Sequence, residues 1–302
     1  MDVKRLSEHV RPDDKELVKV TSMGNVTEVM TAVLGVSPVI RRLSSDLYED
    51  LRTGEVKEFR HTENRGQNLK GVARSLSALR AYLNTNIVDV SHCRWVTLTY
   101  AENMTDAKRL YIDFQTFVRR HRKTVGHFEY IVAVEPQGRG AWHMHAVLIF
   151  PKKAPYIPNE VLRADWKQGF VTVKRLDDVD NVGAYLTAYL GDMELQEAYQ
   201  SGMYPSEINQ HEIKLLEIEE DGQKISKAFV KGARLRMYPP DFNLYRCSRG
   251  IKKPDIQFMS AENANEKVRA ATLTYEKTVL LSDADLDFYR TLNYRYYNAS
   301  RK

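Results

Sequence analysis

The chain has 302 residues, of which 43% are hydrophobic and 10% aromatic, and carries a formal charge of +5. That composition excludes a disordered polymer, and no apolar run approaches the ~18 residues of a membrane-spanning helix. Cys93 and Cys247, the two cysteines, make neither a disulfide framework nor a CxxC metal motif. The N-terminus lacks a secretory leader's apolar core, so the cytoplasm is the expected compartment.

Charge is segregated along the chain. Arg119 to Lys123 is one basic cluster, and Lys231 to Lys253 holds seven Lys or Arg against the single acid Asp241. Acids collect at Glu212 to Asp221 and from Asp283 to Asp287. Such segregation suits a polyanionic partner, although a solvated face is the commoner cause of any one cluster.

In chain order, Thr27 to Leu34 and Pro38 to Leu51 read as short amphipathic helices, making residues 1–60 a helical extension. Gln67 to Leu83 is a stronger helix, with Leu69, Val72, Leu76, Leu79 and Leu83 on one face. Arg94 to Tyr100 is β-branched and aromatic, hence a strand. Thr105 is the expected cap of a helix carrying Leu110, Phe114, Phe117 and Val118. Strands follow at His127 to Glu135 and Trp142 to Phe150. Then come a helix from Asn159 to Trp166, a strand from Phe170 to Leu176, and a helix from Asp180 to Leu195.

The alternation predicts an α+β protein with a ferredoxin-like βαββαβ domain over residues 61–200 and a central antiparallel sheet. Residues 201–302 form a β-containing C-terminal region. A hairpin is expected around Asp221-Gly222, with extended pieces at Arg234–Tyr238, Asn243–Cys247 and Leu273–Leu281. The tyrosine-rich end is reached through a helical Asp283–Leu292.

Glu135, His143 and His145 form the chemical centre of the sequence. Residues i and i+2 of a strand face the same way, so the two imidazoles project together. Glu135 stands at hairpin distance across Pro136-Gln137-Gly138-Arg139-Gly140, whose glycines permit a tight turn. For the carboxylate to join the histidines, facing residue numbers must sum to an even value. Two nitrogens and one oxygen leave coordination positions open, as catalysis requires. They suit Mn²⁺ or Mg²⁺, and zinc also accepts these ligands. Two hydrogen-bonded histidines on a half-buried strand are the plain alternative. In the following helix Tyr185 and Tyr189 stand at i and i+4 among Gly183, Ala184 and Ala188. They are two core tyrosines, or two phenols awaiting a cation to assist their attack on a phosphodiester.

Together VTLTY at 96–100, EPQGRGAWHMH at 135–145 and YLTAY at 185–189 resemble the three ordered motifs of the HUH endonucleases. Rolling-circle replication-initiation (Rep) proteins of plasmids, phages and integrative elements are the members most similar. SLSALRAYLNTN before the motifs and KGARLRMYPPDFNLYRCSRGIKKP after them extend the likeness to about residues 60–302.

The resemblance implies an enzyme that nicks single-stranded origin DNA with Mg²⁺ or Mn²⁺. It would form a 5′-phosphotyrosine link and free a 3′-OH. By position, His143 and His145 are then metal ligands with Glu135 the third, and Tyr185 matches the nucleophile of one-tyrosine members, or Tyr185 with Tyr189 the pair of two-tyrosine members. Many relatives carry a lysine three residues after the first tyrosine, where this chain has Ala188.

A conjugative relaxase of the same superfamily is one alternative, and a non-catalytic nucleic-acid-binding module another. Relaxases commonly use three histidines, which favours replication. Expected DNA contacts are Arg139 beside the site, then Arg94, Lys174 and Arg175. No GxxxxGK[ST] loop is present, so unwinding would need a host helicase, and synthesis a host polymerase.

Overall fold

The structure is a computed structural model that describes residues 2–33, 40–59, 61–176, 190–209, 211–220, 223–283 and 288–301. The fold is mixed α+β with antiparallel sheets. Two compact units form: Met1–His61 with Lys253–Lys302, and Thr62–Lys252. The C-terminal segment 201–302 is therefore divided between them.

The N-terminal segment is built of strands, correcting the expected helical extension. These are β1 (Asp2–Leu6), β2 (Leu17–Met23), β3 (Val26–Val33), β4 (Ile40–Arg42), β5 (Leu47–Asp50) and β6 (Val56–Glu58). VTEVMTAV of β3 satisfies a helical stripe and a strand alternation equally well over so short a window. Its backbone groups find partners on both sides, in β2 and in a strand from the far end of the chain, and that pairing decides. Leu34 and Pro38, which belonged to the two expected helices, lie outside the described residues.

Residues 62–252 carry α1 (Leu69–Asn86), β7 (Cys93–Thr99), α2 (Ala107–Val125), β8 (Glu129–Pro136), β9 (Trp142–Ile149), α3 (Asn159–Trp166) and β10 (Val171–Lys174). β11 (Met193–Glu194), a short helix Leu195–Gln200, β12 (Ile213–Glu220), β13 (Gln223–Val230) and β14 (Tyr245–Cys247) follow. The central sheet runs β10-β7-β9-β8-β14 and is antiparallel throughout. The order of elements from β7 to β10 is the one expected. The cap of α2 is Asp106 rather than Thr105, because its carboxylate accepts both Lys108 N–H and Arg109 N–H.

Both faces of this sheet are covered, so β8 is almost wholly buried. Val96, Leu98, Val132, Val134, Met144, Ala146 and Leu148 face α2 and α3, meeting Phe114, Phe117, Leu162 and Trp166. Trp95, Ile131, Ala133 and Val147 face Leu79 and Leu83 of α1. Strand alternation puts Glu135, His143 and His145 on this second side.

Most of the helix expected at Asp180–Leu195 falls outside the described residues; Leu190 and Gly191 are helical, and Met193–Glu194 is the short strand β11. Arg234–Tyr238 is not extended: Ala233–Met237 is a 3₁₀ turn entered through Gly232 at φ +72°. The chain returns through β15 (Asp255–Ser260), a helix Ala261–Val268, β16 (Thr272–Asp283) and β17 (Phe288–Asn298). They complete a six-stranded sheet, β1-β16-β17-β3-β2-β15. Val18, Val20 and Val29 pack there on Ala261, Ala264 and Val268. The tyrosine-rich end is thus strand β17 rather than the end of a helix, since its backbone pairs with β16 on one side and β3 on the other.

Candidate metal centre

Glu135 lies near the end of β8, and His143 and His145 near the start of β9. The register pairs Glu135 with His143 and Ala133 with His145, so facing numbers have the even sum the site requires. A slip of one residue would have put the carboxylate against α2 and α3. The turn closes when Gly140 N–H donates to Gln137 O at 2.7 Å, with Gly140 at φ +87°. Gly138 is needed for close approach. Its N–H donates to Glu197 Oε1 at 2.6 Å, and a Cβ there would stand 2.6 Å from Glu197 Cγ.

The three side chains converge. His143 Nε2 and His145 Nε2 are 2.8 Å apart, and Glu135 Oε2 lies 3.1 Å from His145 Nε2 and 3.5 Å from His143 Nε2. Ligands roughly 2.1 Å from an octahedral cation stand about 3 Å from each other, and tetrahedral ones somewhat further apart. The donor set and its spacing therefore fit one divalent cation. Facing each other, the two Nε2 atoms cannot both carry protons, so at least one lone pair points into the cluster. His143 Nδ1 is buried with no hydrogen-bond partner among the described residues.

Surrounding groups set the charge of the cluster. Burial alone would raise the Glu135 carboxyl, but the Arg234 guanidinium and the histidines hold it well below the usual carboxylate range. Burial pushes His145 down despite its bond to Glu135, which favours the neutral imidazole a metal needs. Burial would also lower Arg234, but Glu135 and Glu197 outweigh it and keep the guanidinium charged. Thr97 Oγ1 lies 3.2 Å from His145 Nδ1 and accepts from Trp95 Nε1 at 3.3 Å, fixing the imidazole plane.

The remaining expected residues separate. Arg139 is exposed on the hairpin turn, donating to Tyr100 O at 3.3 Å. Lys174, also exposed, sits opposite Trp95, on the histidine side of the sheet. Arg175 follows it, exposed as well. Arg94, expected among the DNA contacts, is instead a buried side chain. It is 7% exposed, and Nε, Nη1 and Nη2 each donate to a carbonyl, of Pro155, Cys93 and Ala154, so the guanidinium is engaged within the fold. Tyr185 and Tyr189 lie outside the described residues.

Thr97 and Arg234 stand in the stretches VTLTY and KGARLRMYPPDFNLYRCSRGIKKP, but nothing local ties either to the site, and Glu197 carries no local signal.

Residues 93–194 match the family model of a replication-associated protein, a family of rolling-circle replication initiators. The match begins at β7 and contains all three candidate ligands. It points to a replication-associated function. No curated protein and no solved structure matches the chain. No helix among the described residues is long and apolar enough to cross a membrane.

Proposed function

We propose that the protein initiates rolling-circle replication as an HUH endonuclease, cutting single-stranded origin DNA from a ferredoxin-like domain. The convergence of Glu135, His143 and His145 carries this reading, because a cation with only three protein ligands keeps coordination positions open for a phosphoryl oxygen. The order β10-β7-β9-β8 is also that of a split βαβ sheet. Glu135, His143 and His145 hold Mg²⁺ or Mn²⁺. Once bound, the cation polarises a phosphoryl oxygen and stabilises charge as it develops.

Thr97 holds the His145 ring, and Arg234 keeps Glu135 ionised. Exposed Arg139, Lys174 and Arg175 supply cations to the strand's phosphates. Tyr185 or Tyr189 attacks phosphorus through its phenolic oxygen. The bond to the 3′ oxygen breaks, and that oxygen leaves as a hydroxyl after taking up the proton the phenol loses. The product is a 5′-phosphotyrosine ester and a 3′-OH that a host polymerase extends, behind a host helicase, in the cytoplasm. With Ala188 in place of the relatives' lysine, phosphate positioning rests on other cations. Two histidines with a carboxylate favour replication over a relaxase role.

The test is incubation with single-stranded origin DNA and Mn²⁺ or Mg²⁺, followed by mass mapping of the adduct. A Tyr185→Phe, Tyr189→Phe double variant is expected to form none. An adduct in that variant would refute the chemistry. DNA binding without cleavage, unchanged by chelator, would point to the non-catalytic module instead.

A further inference from the structure

Outside the three ligands, the most heavily bonded buried side chain near the site is Arg234. It is 4% exposed and lies beyond the matched residues, 99 positions after Glu135. Its Nε donates to Asp192 O at 3.1 Å, and Nη1 to Pro136 O at 2.7 Å. Glu197 takes both arms of the fork, at 2.9 Å from Nη1 and 2.7 Å from Nη2. Nη1 also stands 3.1 Å from Glu135 Oε1, while Glu135 Oε2 is the oxygen turned to the histidines.

We infer that Glu197, acting through Arg234, is a positioning residue that sets how strongly Glu135 can hold a cation. The two oxygens of Glu135 have separate tasks. The Arg234 charge faces Oε1, leaving Oε2 as the oxygen turned to the histidines, so the carboxylate offers one atom to a cation and coordination positions stay open. A full positive charge this close would repel a divalent ion. Glu197 neutralises it, and Gly138 N–H holds Glu197 in place. The Arg234–Glu197 pair adds rigidity with no net charge. A planar fork meets these acceptors where a lysine ammonium could not.

The inference rests on the metal reading proposed above. It is tested by Mn²⁺ titration of the full chain without DNA, following the electron paramagnetic resonance of free Mn²⁺. Wild type is expected to bind one Mn²⁺, and a His143→Ala, His145→Ala variant none at that site. No saturable binding by wild type would remove the metal centre itself, and this inference with it.

Given wild-type binding, Glu197→Gln is expected to weaken affinity about tenfold or more, the range for partners that orient ligands. Adding Arg234→Gln to Glu197→Gln removes the repelling charge and is expected to recover much of that loss. A merely structural brace predicts the reverse, with the double variant as weak as the single one or weaker. That result, or wild-type affinity in Glu197→Gln, overturns the inference. If Glu197→Gln does not fold, Gly138→Ala repeats the test, since its methyl displaces Glu197 without altering any charge.

Discussion

Replacing Glu135 by Gln keeps the shape of the side chain and removes its charge. In the native structure that charge lies 3.1 Å from Arg234, with the two side chains only 6% and 5% exposed. Breaking a buried ion pair from one side costs about 3–5 kcal/mol. Arg234 keeps its fork to Glu197, so the lower end, about 3 kcal/mol, applies. The sign with pH follows from the depressed carboxyl. Its contribution is present above the ordinary glutamate value near about 4.3 and is lost as pH falls towards the folded value. Wild type and variant should therefore differ at pH 7 and converge in acid.

The same change removes a candidate ligand. A cation at 100 times its Kd stabilises the wild type by about 2.7 kcal/mol, and Glu135→Gln should lose most of that increment. Tryptophan fluorescence during urea unfolding reads both effects in the relevant unit, because Trp95, Trp142 and Trp166 all lie within Thr62–Lys252. A variant as stable as wild type at pH 7, and equally stabilised by Mn²⁺, would refute both the pairing and the ligand role.

Two further outcomes can be measured on the same protein. His121 is fully buried, 2.8 Å from Asp165, and burial lowers its pKa below the ordinary value of about 6.5. Its stabilising share is complete above about pH 6.5 and declines as pH falls towards the folded value, so His121→Gln should flatten unfolding stability over that window. Lys174→Ala should reduce the salt dependence of single-strand binding by about 0.7 in the log–log slope, whereas Arg94→Ala should lower stability and leave that slope unchanged.

Much of the central unit was legible locally. The run from Cys93 to Lys174 declares itself because strand alternation, helix stripes and short turns are properties of neighbouring residues. The Glu135 register was a condition of the site that the five-residue loop left open, and the pairing of β8 with β9 meets it. Where two local patterns fit equally, sequence failed: Val26–Val33 became a strand only because β2 and β17 flank it.

Charge was misread for a related reason. Arg94 looks solvated in a string of letters, and only the fold brings three carbonyls around its guanidinium. The candidate ligand types and their order along the chain were thus legible in the sequence alone. What holds one of them, Arg234 with Glu197, was decided by tertiary structure. Hydrogen bonds between residues 37 and 98 positions apart leave no periodic trace along the chain.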